Sequence, residues 1–177
     1  MGKNPQQAVR NFLLPIERST ACLTTARITA TGHDPAKQPH ALTVNGGQPV
    51  AVTLEDDHAV EFNVAIDQNY RVIETGNDQD PWKVHTTKYV YSLTGADGAE
   101  IFSYHWHPGI GPNFPHMHVK ATQNASVLKA HFRTGRVSLE HFIWVLLTDF
   151  GIRARKQGWK KILRASQEAF ERGRTWA

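Results

Sequence analysis

Ala8, Val9, Phe12, Leu13 and Ile16 recur at i, i+3 or i+4 and i+7 to i+8, the spacing of an apolar stripe along a helix. This predicts a helix over residues 5–31. Pro15 should kink or divide it, and Thr24, Thr25, Ile28 and Thr29 lower its propensity toward the end. Residues 32–39, Gly-His-Asp-Pro-Ala-Lys-Gln-Pro, read as a loop. The pattern then changes. Residues 49–54, 59–66 and 70–75 are short runs rich in β-branched and aromatic side chains, separated by Asp, Asn and Gly. Residues 87–93 and 100–106 flank Thr94-Gly-Ala-Asp-Gly98, whose Asp-Gly pair suits a tight hairpin turn. Residues 114–120 form one further strand. Helical spacing returns with Leu139, Phe142, Ile143, Leu146, Leu147 and Phe150, preceded by Ser138 as N-cap and stopped at Gly151. A last helix spans residues 157–172, with Trp159, Ile162, Leu163 and Phe170 turned inward.

The expected fold class is therefore α+β: a mainly antiparallel sheet, an N-terminal helix, and two C-terminal helices packed on the sheet. The expected organisation is an N-terminal helical segment, 1–35, and an α+β domain, 40–177. A chain of 177 residues with 40% hydrophobic and 20% charged residues suits a globular protein with a real core. No apolar run approaches the roughly 18 residues of a membrane span, and Met1-Gly-Lys-Asn-Pro leads into no export core. Cys22 is the one cysteine, so no intrachain disulfide forms. Together these give a cytoplasmic expectation and no membrane partner.

Charge is uneven. Up to Val119 the chain has 8 Lys and Arg against 12 Asp and Glu; from Lys120 it has 12 against 4. Lys156, Lys160, Lys161 and Arg164 follow one another at i, i+4, i+5 and i+8, along one side of the last helix. An anionic partner for that face is one reading, and a solvated helix surface is the other.

The chemistry concentrates elsewhere. Four of the ten histidines fall within residues 105–118, as the pairs His105/His107 and His116/His118 around a Pro/Gly-rich loop. Side chains at i and i+2 of a strand share a face, so two antiparallel strands would gather all four imidazoles. His131 follows, with Arg133 and Arg136 just before a helix N-terminus. Three readings stand open: a solvated hairpin, a zinc site built from imidazole nitrogens, and cofactor-free proton transfer between two imidazoles. In the last, His105, His107, His116, His118 and His131 supply the catalytic groups. Tyr104, Arg133, Arg136 and the basic helix (Lys156, Lys160, Lys161, Arg164) hold an RNA substrate. Such a site would use a base for the 2′-hydroxyl, an acid for the leaving oxygen and cations for the phosphorane. Two other histidine families fit less well. A histidine triad needs a third alternating histidine where Lys120 stands. A two-histidine phosphoesterase needs Ser or Thr two residues after each histidine.

Tyr104-His105-Trp106, Phe114-Pro115-His116-Met117-His118-Val119 and Ser138-Leu139-Glu140 together resemble the TumE-type toxins of bacterial toxin–antitoxin modules. The resemblance covers roughly residues 87–150; the long N-terminal region and the helix after Gly151 depart from it. It implies a growth-inhibiting toxin whose partner is a cognate antitoxin, a DNA-binding helix-turn-helix protein. The assignment of RNA cleavage rests on the residues themselves. The alternative from a different class is a non-enzymatic module that binds a metal or a nucleic acid.

Overall fold

The computed structural model describes residues 1–55 and 61–173. An eight-stranded, fully antiparallel sheet is covered on one face by helices. Among the described residues no helix is long and apolar enough to cross a membrane.

Helix α1 (Pro5–Thr20) starts where Asn4 accepts the amide of Gln7 and Pro5 occupies the first turn, where a missing N–H costs nothing. It runs through Pro15 and buries Ala8, Val9, Phe12 and Ile16. The sequence expectation carried this helix to Thr31. Instead it stops at Thr20, and β1 (Ile28–Ala30) pairs with β2 (His40–Val44). The β-branched run that weakened the helix finds a strand partner there, and tertiary pairing outweighs the local stripe. The described residues of the expected segments 1–35 and 40–177 share one hydrophobic core, because α1 packs its Phe12 against Tyr70 of the sheet.

Strand β3 (Val50–Thr53) pairs with the start of β4 (Glu61–Glu74), and β2 pairs further along the same edge. The expected strand 59–66 begins at residues 59 and 60, which lie outside the described residues. It does not end at Ile66 but joins 70–75 in one long strand. The polar stretch Asp67-Gln68-Asn69 that reads as a break is absorbed. Gln68 turns inward, donating to Thr86 Oγ1 at 2.8 Å and accepting from the Tyr91 hydroxyl at 2.9 Å. Asp67 and Asn69 face the other way. A buried polar group satisfied on both sides interrupts nothing. β5 (Trp82–Gly95) pairs along the whole of β4, with a bulge that leaves Thr87 as the extra residue. β6 (Glu100–Trp106) has the expected bounds. β7 (His116–Val119) pairs with it, and β8 (Phe132–Arg133) forms the far edge.

Alternation then sorts the sheet into two faces. Val64, Ile66, Tyr70 and Val72 of β4, Val84, Tyr89, Tyr91 and Leu93 of β5, and Phe102 and Trp106 of β6 are buried. Helix α3 (Leu139–Thr148) packs on that face, its Phe142 stacked on Tyr91 and tilted against Phe102. Ser138 caps it, accepting the amide of His141, and Gly151 ends it with φ 63°. Helix α4 (Trp159–Gly173) lies against α1 and α3. Among the described residues the opposite face of the sheet carries no helix of this layer.

Tyr89 ties the two layers together. Its hydroxyl, buried in the core, accepts the amide of Val137 at 2.8 Å. Burial above all pushes its pKa up to about 12, against the bond from Val137 and the field of Arg136. The free phenol ionises near 10, so the unfolded chain loses this proton first. The stabilising contribution is complete below pH 10 and disappears as pH rises to about 12. Urea unfolding midpoints should therefore fall over that window, and Tyr89→Phe should make the fall shallower.

Candidate histidine centre

Directly paired residues of antiparallel strands point to the same side. His105 pairs with His116, and Ser103 with His118. Since Phe102, Tyr104 and Trp106 face the helices, His105 and the residues in step with it face the open side. His107 lies just past the end of β6. There the chain turns through Gly109 and Gly111, at φ 88° and 78°, a conformation glycine adopts without strain. A short helix, α2 (Ala125–Lys129), capped by Asn124, returns the chain to β8. Pairing of Arg133 with His116 places His131 and Arg133 beside the same patch.

All five histidines meet. Ring centroids of His105 lie 4.8 Å from His118 and 5.6 Å from His116. His131 lies 4.5 Å from His118 and 5.0 Å from His116, and His107 lies 5.4 Å from His116. His116 is fully buried, whereas His131 is exposed. One ligand atom from each of His105, His116 and His118 falls within 4.8 Å of the other two. These are the residues that could hold a metal ion. Nε2 of His105, Nε2 of His116 and Nδ1 of His118 are buried without a hydrogen-bond partner among the described residues.

Neighbouring carbonyls set two of the tautomers. His116 Nδ1 lies 2.9 Å from the Phe114 carbonyl and His107 Nδ1 bonds the Ile110 carbonyl. A carbonyl only accepts, so each Nδ1 carries the proton and each Nε2 keeps its lone pair in the neutral ring. Burial, followed by the neighbouring imidazoles, lowers the pKa of His105 and of His118 to about 4. Burial also lowers that of His116, against the opposing pull of the Phe114 carbonyl. His105, His116 and His118 are therefore neutral at physiological pH.

The other expected site residues divide. Arg133 sits at the rim, its guanidinium 4.2 Å from the Phe114 ring centroid, and Phe114 touches His116. Tyr104 does not join the histidines. One residue from His105, it points through the sheet to the helix side, edge-on to Phe142. Arg136 also lies apart, its guanidinium 3.5 Å over the Trp106 ring. With Tyr104, Ser138 and His141 it lines a separate cavity of about 720 Å³. Lys160 and Arg164 lie over Trp159 and Trp144. Lys156 and Lys161 edge a groove between α1 and α4 with Leu14 and Ile162. The basic helix thus belongs to the layer across the sheet from the histidines.

Sequence reasoning overlooked a different set of cations. Arg71 pairs with His85, Ile73 with Lys83 and Asn69 with Lys88, all facing the open side. The field of Arg136, Lys83 and Arg71 adds to burial in lowering the pKa of His85. Lys83 and His85 were visible as an i, i+2 pair, but the bulge at Thr87 reverses the parity before Lys88. On this face the Glu100 carboxylate accepts the Ser103 hydroxyl at 3.1 Å, and Ser103 pairs with His118. Asp67, exposed, lies further off in the cross-sheet row Asp67–Val90–His105–His116–Arg133. Two strand spacings put it about 10 Å from His105. No family model matches the chain, nor does any curated protein or solved structure. The chemistry is read from this geometry alone.

Proposed function

We propose that this protein cleaves single-stranded RNA on the open face of its sheet, as the toxin of a cytoplasmic toxin–antitoxin pair. One observation carries the reading. Five imidazoles cluster on the face of the sheet that also carries Arg71, Lys83, Lys88 and Arg133. A nuclease needs its phosphate-binding cations beside its reacting groups. Arg133, paired with His116, and Lys88, next in register to the end of β6, meet that need. Arg71 and Lys83 extend the basic track along the sheet, and the basic helix lies on the other side. The biological setting, with a DNA-binding antitoxin as partner, rests on the residue resemblance to TumE-type toxins.

The imidazoles divide the work. His105 and His118, held neutral by burial, are poor proton donors. His107, its Nδ1 proton held by the Ile110 carbonyl, keeps an Nε2 lone pair and takes the proton of the attacking 2′-hydroxyl. His131, exposed on the other side of His116, returns a proton to the departing 5′-oxygen. Arg133 neutralises charge that builds on the phosphorane. Internal attack by the 2′-oxygen leaves a 2′,3′-cyclic phosphate and a 5′-hydroxyl. Incubating the purified protein with a labelled RNA should yield those ends. An otherwise identical strand with one 2′-deoxy residue should resist cleavage at that residue. Products bearing 5′-phosphates, or equal cleavage of the deoxy position, would refute the mechanism.

A further inference from the structure

The geometry points to a divalent transition-metal site of the zinc class formed by His105, His116 and His118. Its binding stands on the cluster alone; only the ion's use in catalysis rests on the RNA-cleaving reading. Three buried nitrogens without partners in one place are unusual, because interiors rarely leave polar atoms unsatisfied. A single cation satisfies all three together. The Phe114 carbonyl, by holding the proton on His116 Nδ1, aims the Nε2 lone pair inward. Such carbonyl support is the usual companion of a metal-ligating histidine.

Distances agree. Zinc–imidazole bonds of about 2.0–2.1 Å in a tetrahedron put the nitrogens about 3.4 Å apart. The three atoms here lie within 4.8 Å of one another. Closing that gap takes ring movements of an ångström or so, within the reach of small χ rotations. The donor chemistry selects the ion. Three neutral nitrogens and no carboxylate suit Zn²⁺, Co²⁺ or Ni²⁺, whereas Mg²⁺ and Ca²⁺ require oxygen. Three protein ligands leave a fourth position, as in catalytic rather than structural zinc sites. His107 and His131 flank His116 beside it. A non-bridging phosphate oxygen in that position would receive charge stabilisation while the rim histidines move protons.

The test uses the intact protein, stripped with a chelator and dialysed. Zn²⁺ and Co²⁺ are then titrated by calorimetry, with bound metal counted by mass spectrometry. One ion per chain is expected, and Co²⁺ should give the intense visible bands of a four-coordinate site. Mg²⁺ should not compete. His118→Gln and His105→Gln, both at only half-buried positions, should each weaken Zn²⁺ binding by at least about 100-fold, since even second-layer partners are worth 10- to 100-fold. His107→Ala should stay within about tenfold of wild type. Absence of one-to-one binding by the wild-type protein, or unchanged affinity in both Gln variants, overturns the site. One-to-one binding that these variants abolish, without RNA cleavage, supports the site and sinks the RNA reading. Cleavage by metal-free protein at the full rate does the opposite for the ion's catalytic role.

Discussion

Replacing His107 by alanine is expected to slow RNA cleavage by about 10²- to 10⁴-fold, the usual worth of a positioned proton-transfer group. His131→Ala should show a similar loss. The reason is positional. These two imidazoles flank His116, at 5.4 and 5.0 Å between ring centroids, and the trio between them is held neutral. Neither is part of the core, so the fold should survive both changes. RNA affinity should remain close to wild type, because Arg71, Lys83, Lys88 and Arg133 are untouched. The pH profile separates the roles. Loss of the base should flatten the acidic limb of the rate profile, and loss of the acid the alkaline limb. Single-turnover rates with saturating RNA, measured across pH, provide the check. Rates within a few-fold of wild type in both variants would remove the two from the mechanism.

The second large effect concerns where the RNA lies. Lys83→Gln combined with Lys88→Gln should weaken binding of a single-stranded RNA by about tenfold or more at low salt. Each phosphate contact on a single strand contributes about 0.7 to the slope of log K against log salt. Losing two should therefore reduce that slope by about 1.4. Lys160→Gln with Lys161→Gln should change neither quantity appreciably, because α4 packs on α1 and α3, across the sheet from the histidines. Affinity measured by fluorescence anisotropy at several salt concentrations decides between the surfaces. A large loss in the α4 variant, with none in the β5 variant, would move the RNA to the helical layer and detach it from the histidine centre.

Local pattern made much of this chain legible. The stripe Ala8, Val9, Phe12, Ile16 and the stripe Leu139 to Leu147 marked α1 and α3, since helix burial follows directly from the 3.6-residue period. Ser138 and Gly151 marked the ends of α3, because capping is chemistry of adjacent residues. β6 could be bounded, and the gathering of His105 with His116 and His118 expected, because i, i+2 spacing and one hairpin register decide both. The α+β class followed from the order of those elements.

What depended on distant partners could not be read in the same way. The residues of β1 became a strand only because β2 lies beside them. Asp67-Gln68-Asn69 stayed inside β4 only because Thr86 and Tyr91, from another strand, satisfy Gln68. β8, two residues long, has no period of its own, yet it delivers His131 and Arg133. Above all, charge along the chain said nothing about faces. Tyr104 differs from His105 by one residue and ends on the opposite side of the sheet. Arg136 differs from Arg133 by three and ends against Trp106. The basic run of α4 was conspicuous in sequence and is separated from the histidines by the sheet itself. The scattered Arg71, Lys83 and Lys88 share their face because long-range pairing and one bulge align them. The sequence alone determined which groups could do the chemistry, since side-chain type and near-neighbour spacing are local properties. Only the tertiary structure decided which of them meet, since strand order, register and bulges are set by contacts between residues far apart in the chain.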